Sequence, residues 1–119
     1  MAHTVYRIYY GDYIMYVGRT NQPLRNRIRG HLFAKPMHRF INIDRVTKID
    51  YHEFETEADM NLYEIYYILK LHPPFNVDDN TRDNLTVAMP EVDFKEASFP
   101  LWEKWKKQLE KPSKLADLF

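Results

Sequence analysis

The sequence contains no cysteine, only three glycines and no long apolar run. Without cysteine, a disulfide framework and a thiolate zinc site are excluded. So few glycines cannot form a Gly-rich phosphate-binding loop. No window approaches the roughly 18 consecutive apolar residues that a membrane-spanning helix needs, and the first residues lack the apolar core of a signal peptide. We therefore expect a cytoplasmic protein, a setting with which the absence of cysteine is compatible.

The charged residues are balanced in number but unevenly distributed. The 119 residues carry 17 basic and 17 acidic side chains, a length that indicates one domain. Residues 1–50 hold nine Lys and Arg against three Asp and Glu, whereas residues 51–119 hold eight against fourteen. The zero net charge argues against a general polyanion binder. The basic excess between residues 19 and 48 favours contact with a phosphate backbone, the alternative being an ordinary solvated helix face.

The amino-terminal part predicts a β-hairpin. Residues 5–10 and 13–17 are rich in aromatic and β-branched side chains, and Gly11 with Asp12 is typical of a two-residue hairpin loop. The register that this loop predicts places Arg7, Tyr9 and Tyr16 on one sheet face. Two phenols and an arginine on one face indicate a site, the alternative being a half-exposed aromatic surface.

A helix beginning at Leu24 follows the hairpin. Its apolar stripe consists of Leu24, Ile28 and Leu32, spaced four residues apart. Arg27 and His31 lie beside that stripe, whereas Arg25 and Arg29 point away from it. Either Arg27 snorkels and His31 is a hydrogen-bonded core residue, or they are a phosphate-binding cation and a general acid or base.

A third strand over residues 47–54 and a second helix come next. Thr56 is a typical N-cap for this helix, and Pro73 ends it after Leu71. One helix face carries Met60, Tyr63, Tyr67, Ile68 and Leu71. Glu64 is the only charge on that face, and a carboxylate there is costly unless it is paired or bound to a metal. Glu64 is therefore either an ion-pair partner of an arginine or a metal ligand or catalytic acid.

The remaining third of the chain is less informative. Alternating apolar residues predict a short edge strand over residues 85–89, and a last helix is predicted over residues 101–110. Trp102 and Trp105 fall on one side of that helix. They either dock it on the core or anchor a partner protein.

Taken together, these residues resemble the GIY-YIG nuclease family. The matching positions are Arg7-Ile8-Tyr9, Tyr16-Val17-Gly18, Leu24, Arg27, His31, Glu64 and Pro74-Phe75-Asn76. They occur in the family's order between residue 5 and about residue 77, and Arg7 departs from the family's first glycine. The resemblance implies an α/β fold of the α+β type, with a three-stranded antiparallel sheet flanked by helices. It also implies a catalytic core over residues 1–77 and a C-terminal extension over residues 78–119.

The resemblance further implies a catalytic site. Glu64 would hold one divalent ion, Mg²⁺ or Mn²⁺, and Arg27 would stabilise charge on the scissile phosphate. Tyr9 or Tyr16 would orient and deprotonate the attacking water, with His31 as the alternative proton acceptor. Asn76 and Gly18 would support these residues without contacting the phosphate.

We therefore expect an endonuclease that acts on DNA, although the residues do not exclude RNA. Phosphate contacts are expected from Arg7, Arg19, Arg25, Arg29 and Lys35. The competing hypotheses are a non-catalytic nucleic-acid-binding module on the same fold and an interaction protein that uses Trp102 and Trp105. Because the minimal domain carries no evident recognition module, a homodimer or a targeting partner bound through these tryptophans is also expected to be relevant.

Overall fold

The fold combines one antiparallel sheet with two helices. The computed structural model describes residues 3–33, 45–76 and 84–98, and for residues 31–33 it describes the backbone alone. The elements are β1 (Thr4–Tyr10), β2 (Tyr13–Thr20), α1 (Leu24–Phe33), β3 (Lys48–Glu53), α2 (Glu57–Leu71) and β4 (Lys95–Glu96). The α+β class is as predicted, but the sheet has four strands rather than three, in the order β2-β1-β3-β4. Neither helix in the described ranges is long and apolar enough to cross a membrane.

The hairpin loop forms where the sequence predicts it. Gly11 adopts a φ of 58°, a conformation that glycine reaches without steric cost. Tyr10 therefore lies opposite Tyr13, as expected. β1 also pairs with β3 on its other side, so β1 is a central strand and β2 forms one edge of the sheet.

Two apolar clusters, one on each face of the sheet, hold the helices in place. On the first face, Ile28 of α1 packs with Tyr6, Ile8 and Ile49. On the second face, Met60, Tyr67 and Ile68 of α2 pack against Val5 and Val17. α2 contacts both β2 and β1. The two helices therefore lie on opposite sides of the β1–β2 hairpin, and α2 reaches its outer strand.

The second helix has the predicted bounds and cap. The Thr56 side chain accepts a hydrogen bond from the Asp59 backbone N–H at 3.1 Å, and the helix ends at His72 in the left-handed region. Met60, Tyr67 and Ile68 are buried as expected, whereas Leu71 is exposed and Tyr66 is buried. The apolar stripe therefore turns away from Leu71 in the last turn of α2.

The segment over residues 84–98 crosses the face that carries α2. The Tyr66 and Tyr67 hydroxyls of α2 donate to the Glu91 carboxylate of this segment. The prediction of an edge strand over residues 85–89 is wrong. The edge strand is β4, which lies ten residues later and pairs with β3. The helix predicted over residues 101–110, including Trp102 and Trp105, lies outside the described residues.

Candidate active site

A β-bulge in the hairpin decides which tyrosines share a face. Tyr9 lies opposite Ile14 as predicted, but the next pair is Ile8 with Tyr16, so that Met15 is an extra residue on β2. A register shift of one residue moves every following side chain to the other face. The prediction that Tyr9 and Tyr16 stand on one face is therefore wrong. Tyr16 lies instead on the face of Tyr6 and Ile8.

The same shift separates Arg7 from the site. Arg7 lies on the α2 face, opposite Asp50 of β3, and donates to both Asp50 oxygens at 2.8 and 2.7 Å. Tyr9 also donates to Asp50, at 2.8 Å. The Phe94 ring covers the Arg7 guanidinium at 3.6 Å. The prediction that Arg7 points across the site face is thus wrong, because a buried carboxylate on the neighbouring strand binds it.

The site face is built around Tyr6, Tyr16 and Gly18. The centroids of the two tyrosine rings lie 6.2 Å apart, and Tyr6 is fully buried. A Cβ at Gly18 would lie 2.5 Å from the Tyr6 hydroxyl and 2.8 Å from Cε2 of Tyr16. Atoms cannot approach so closely without displacing one another. Glycine at position 18 is therefore required for both phenols to occupy this part of the sheet.

Arg27 extends from α1 toward the same place. Among the described residues, the Tyr6 hydroxyl and Arg27 Nε are the buried side-chain polar atoms that lack a hydrogen-bond partner. Burial raises the pKa of the Tyr6 phenol, while Arg27 and Tyr16 lower it and Glu64 raises it further. Tyr6 is therefore protonated at neutral pH. Arg27 and Tyr16 act on the Tyr6 phenol as hydrogen-bonding neighbours, so these three side chains lie together in one polar cluster.

Asn76 holds the edge strand in position. Its side-chain amide donates to the Val17 carbonyl at 2.8 Å and its carbonyl accepts from the Val17 N–H at 2.9 Å. The Phe75 N–H donates to the Met15 carbonyl at 3.0 Å. These bonds fix Val17, which lies between Tyr16 and Gly18. Asn76 thus anchors the backbone of β2 at Val17, while its supporting role in a catalytic site stays a prediction.

Glu64 reaches the site from α2. One of its carboxylate oxygens lies 3.4 Å from Nε of Arg19, and the Glu64 side chain is 18% exposed. No cluster of three or more histidine or acidic residues that could hold a metal occurs within the described parts of the chain. A single carboxylate nevertheless fits Mg²⁺, which keeps several waters and completes its shell with substrate phosphate. The polar cluster of Tyr6, Tyr16 and Arg27 nearby is consistent with such a hydrated, phosphate-bearing site.

The other predicted residues fall into two groups. Arg25 and Arg29 are exposed on α1, as the helical spacing predicted. Position 31 belongs to α1, but the His31 side chain lies outside the described part of the structure. Lys35 also lies outside the described residues.

Tyr6 is the site residue that the sequence analysis missed. The alternation of side chains along β1 places Tyr6 on the same, apolar face as Ile8. A hairpin register without the bulge would place Val17 on that face, whereas the observed register places Gly18 there. The triplet Thr4-Val5-Tyr6 does resemble Tyr16-Val17-Gly18 in combining a tyrosine with a β-branched residue. Only the bulge shows that the tyrosines of these two triplets belong together.

Comparison with known proteins gives one match. Residues 2–77 match the family described as GIY-YIG catalytic domain, which is more than half of the chain. No curated protein and no solved structure matches the chain significantly.

Proposed function

Since the chain belongs to the GIY-YIG family, whose members are nucleases, we propose that it is a metal-dependent endonuclease that hydrolyses phosphodiester bonds of DNA. The observation that carries this proposal is the cluster of Tyr6, Tyr16 and Arg27, whose hydrogen-bonding groups lie together beside one face of the sheet. Phenol and guanidinium groups are donors that bind phosphate oxygens and water.

Arg27 is the residue that we assign to the scissile phosphate. It enters from α1, a helix whose exposed face carries Arg25 and Arg29. Guanidinium groups bind phosphate oxygens in pairs of parallel hydrogen bonds. Charge that develops on the phosphate in the transition state is stabilised most by donors that are already held in place. A half-buried arginine on a packed helix meets that requirement.

The two tyrosines receive different roles. Because burial raises the pKa of Tyr6, its phenol keeps its proton, and we assign it to hold Tyr16 and Arg27, its hydrogen-bonding neighbours, in position. Tyr16 is half-buried, so that water can reach its hydroxyl, and we assign it to orient the water and accept its proton. His31 is the alternative proton acceptor.

Glu64 would hold the Mg²⁺ or Mn²⁺ ion. When bound, the ion supplies positive charge at the phosphate. The partial exposure of Glu64 leaves its carboxylate accessible to a hydrated ion. Its position beside β2 sets it near Tyr6, whose pKa the Glu64 charge raises.

Cleavage of supercoiled plasmid and of a single-stranded circle tests the proposal. Each substrate is incubated with Mg²⁺, Mn²⁺ or EDTA. We expect metal-dependent nicking that Glu64→Gln abolishes, and an about 10²–10³-fold loss in Arg27→Ala, as for removal of a preorganised donor. Tyr6→Phe is expected to lose about 10²–10³-fold, because it removes a further preorganised hydrogen-bond donor.

Matched controls separate a catalytic loss from a loss of fold. Glu57→Gln removes a carboxylate from the exposed start of the same helix, and Tyr13→Phe removes a hydroxyl from an exposed position of the same hairpin. Both should cut at the wild-type rate. Wild-type cleavage by Glu64→Gln would contradict the metal assignment. Salt-sensitive DNA binding without cleavage under any metal would favour the non-catalytic binding module.

A further inference from the structure

Arg19 forms an ion pair with Glu64, the carboxylate that the proposed function assigns to the metal. It follows Gly18 on β2, and its Nε lies 3.4 Å from one Glu64 oxygen. Its guanidinium also donates to the Asn61 side-chain oxygen. Asn61 and Glu64 are three residues apart on α2 and hence face the same side of the helix. Arg19 is therefore held by Glu64, the assigned metal ligand, and by Asn61 one helical turn before it.

This arrangement sets two cations in competition for one carboxylate. A divalent ion that binds Glu64 would meet the positive charge of Arg19 within a few ångströms, and like charges at that distance repel. The Arg19 side chain is 47% exposed, and ion pairs of that exposure are weak. Arg19 can consequently leave Glu64 when a better partner arrives.

A DNA phosphate is that better partner. Phosphate accepts two parallel hydrogen bonds from a guanidinium, whereas the Glu64 pair has a single contact at 3.4 Å. An Arg19 that turns to a phosphate leaves the Glu64 carboxylate and takes its positive charge away from it. Binding of DNA and binding of metal then favour each other.

We infer that Arg19 is a positioning residue that exchanges between Glu64 and a backbone phosphate, and that it thereby couples metal binding to DNA binding. The inference depends on the proposed function, since it takes Glu64 as the metal ligand. By linkage, the factor by which DNA raises metal affinity equals the factor by which metal raises DNA affinity. Protein without DNA would therefore bind the metal weakly, and the metal-bound site would form mainly in the complex with DNA.

Mn²⁺ binding, followed by the electron paramagnetic resonance signal of the free ion, tests this without relying on cleavage. The measurement is made with and without a duplex of about 20 base pairs, in a Tyr6→Phe background that slows cleavage, and gel electrophoresis verifies that the duplex is intact when the signal is recorded. In the parent we expect DNA to raise Mn²⁺ affinity about five- to tenfold, at the low end of typical coupling factors. In Arg19→Gln the DNA-free affinity should rise by a similar factor, and the coupling should shrink toward one.

Two further variants separate position from charge. Asn61→Ala keeps the Arg19 charge but releases its guanidinium from α2, and it should raise DNA-free Mn²⁺ affinity about two- to threefold. Arg45→Gln removes an exposed arginine that lies over Tyr10, and it should match the parent in both affinity and coupling. Because DNA itself attracts Mn²⁺, the Glu64→Gln protein measured with the same duplex defines that background. Circular dichroism verifies that each variant is folded.

The outcomes distinguish failure of the inference from failure of the proposed function. If Arg19→Gln matches Arg45→Gln in DNA-free affinity and in coupling, the inference is overturned while the metal site stands. If Glu64→Gln binds Mn²⁺ as tightly as the parent, the metal assignment fails, and the inference fails with it. Fluorescence anisotropy of labelled DNA with and without Mn²⁺ must return the same coupling factor.

Discussion

Substituting alanine for Gly18 gives the sharpest test of how the site is packed. The added Cβ would lie 2.5 Å from both Cζ and the hydroxyl of Tyr6 and 2.8 Å from Tyr16. Tyr6 is fully buried, so its ring cannot turn into solvent to make room. Overpacking of this kind costs about 1–3 kcal/mol. Because two rings are displaced together, we expect a loss of about 2–3 kcal/mol, at the upper part of that range.

Urea and thermal unfolding measure the loss, and plasmid cleavage measures the effect on the site. For a chain of this length, the loss corresponds to a fall in Tm of roughly 8–15 °C. Gly30→Ala is the matched control, since it adds the same methyl group within α1, where no atom lies within 4 Å. It should gain about 0.5–1 kcal/mol, because alanine favours helix over glycine. The same chemical change is thus expected to have opposite signs at the two positions.

A double variant identifies the cause of the loss. In Tyr6→Leu the atoms that the new methyl would strike are absent, so Gly18→Ala should cost clearly less in that background than in the wild type. The difference is the interaction energy of the two positions. Unchanged stability and cleavage in Gly18→Ala would refute the close packing of Tyr6 on Gly18. An equal cost in both backgrounds would assign the loss to something other than Tyr6.

Three further predictions concern the residues that support the site. Asn76→Ala should lose about 2–4 kcal/mol in urea unfolding, since it leaves the buried Val17 N–H and C=O without partners; an unchanged midpoint would contradict this. Asp50→Ala should lose about 3 kcal/mol, because Arg7 is left as an unpaired, largely buried charge, and Arg7→Met in the same chain should recover part of it. Burial raises the pKa of Tyr67 to about 12 from about 10 in an unfolded chain. The native state therefore retains a proton that the unfolded chain releases, so stability should be constant up to about pH 10 and fall as the pH rises toward 12. Tyr67→Phe should show a shallower fall in urea titrations over that pH range.

Features that depend on neighbouring residues could be predicted from the sequence. The Thr56 cap and the proline after Leu71 bound α2 because capping and termination act within a single turn. Gly11 marks the hairpin loop for the same reason. Periodicity also identified Glu64 as a charge on an otherwise apolar face, and its side chain is indeed only 18% exposed.

Features that depend on distant partners could not be predicted. Arg7 belongs to a buried ion pair because β3 sets Asp50 opposite it, and nothing near Arg7 in sequence indicates that strand order. The Met15 bulge lies where the Phe75 N–H binds the Met15 carbonyl, a contact across sixty positions. The residues adjacent in sequence to Arg7 and to Met15 do not indicate either contact.

The sequence by itself determined the kind of the first five elements (β1, β2, α1, β3 and α2), the α+β class and the family resemblance, because these follow from residue types and from spacings of a few positions. The tertiary structure decided which phenols share a sheet face with Tyr16. A single extra residue in β2 reverses the face of every side chain beyond it, and it thereby replaces Tyr9 by Tyr6 as the partner of Tyr16. Gly18 leaves room for this pair of rings, and Arg27 of α1 lies beside Tyr6.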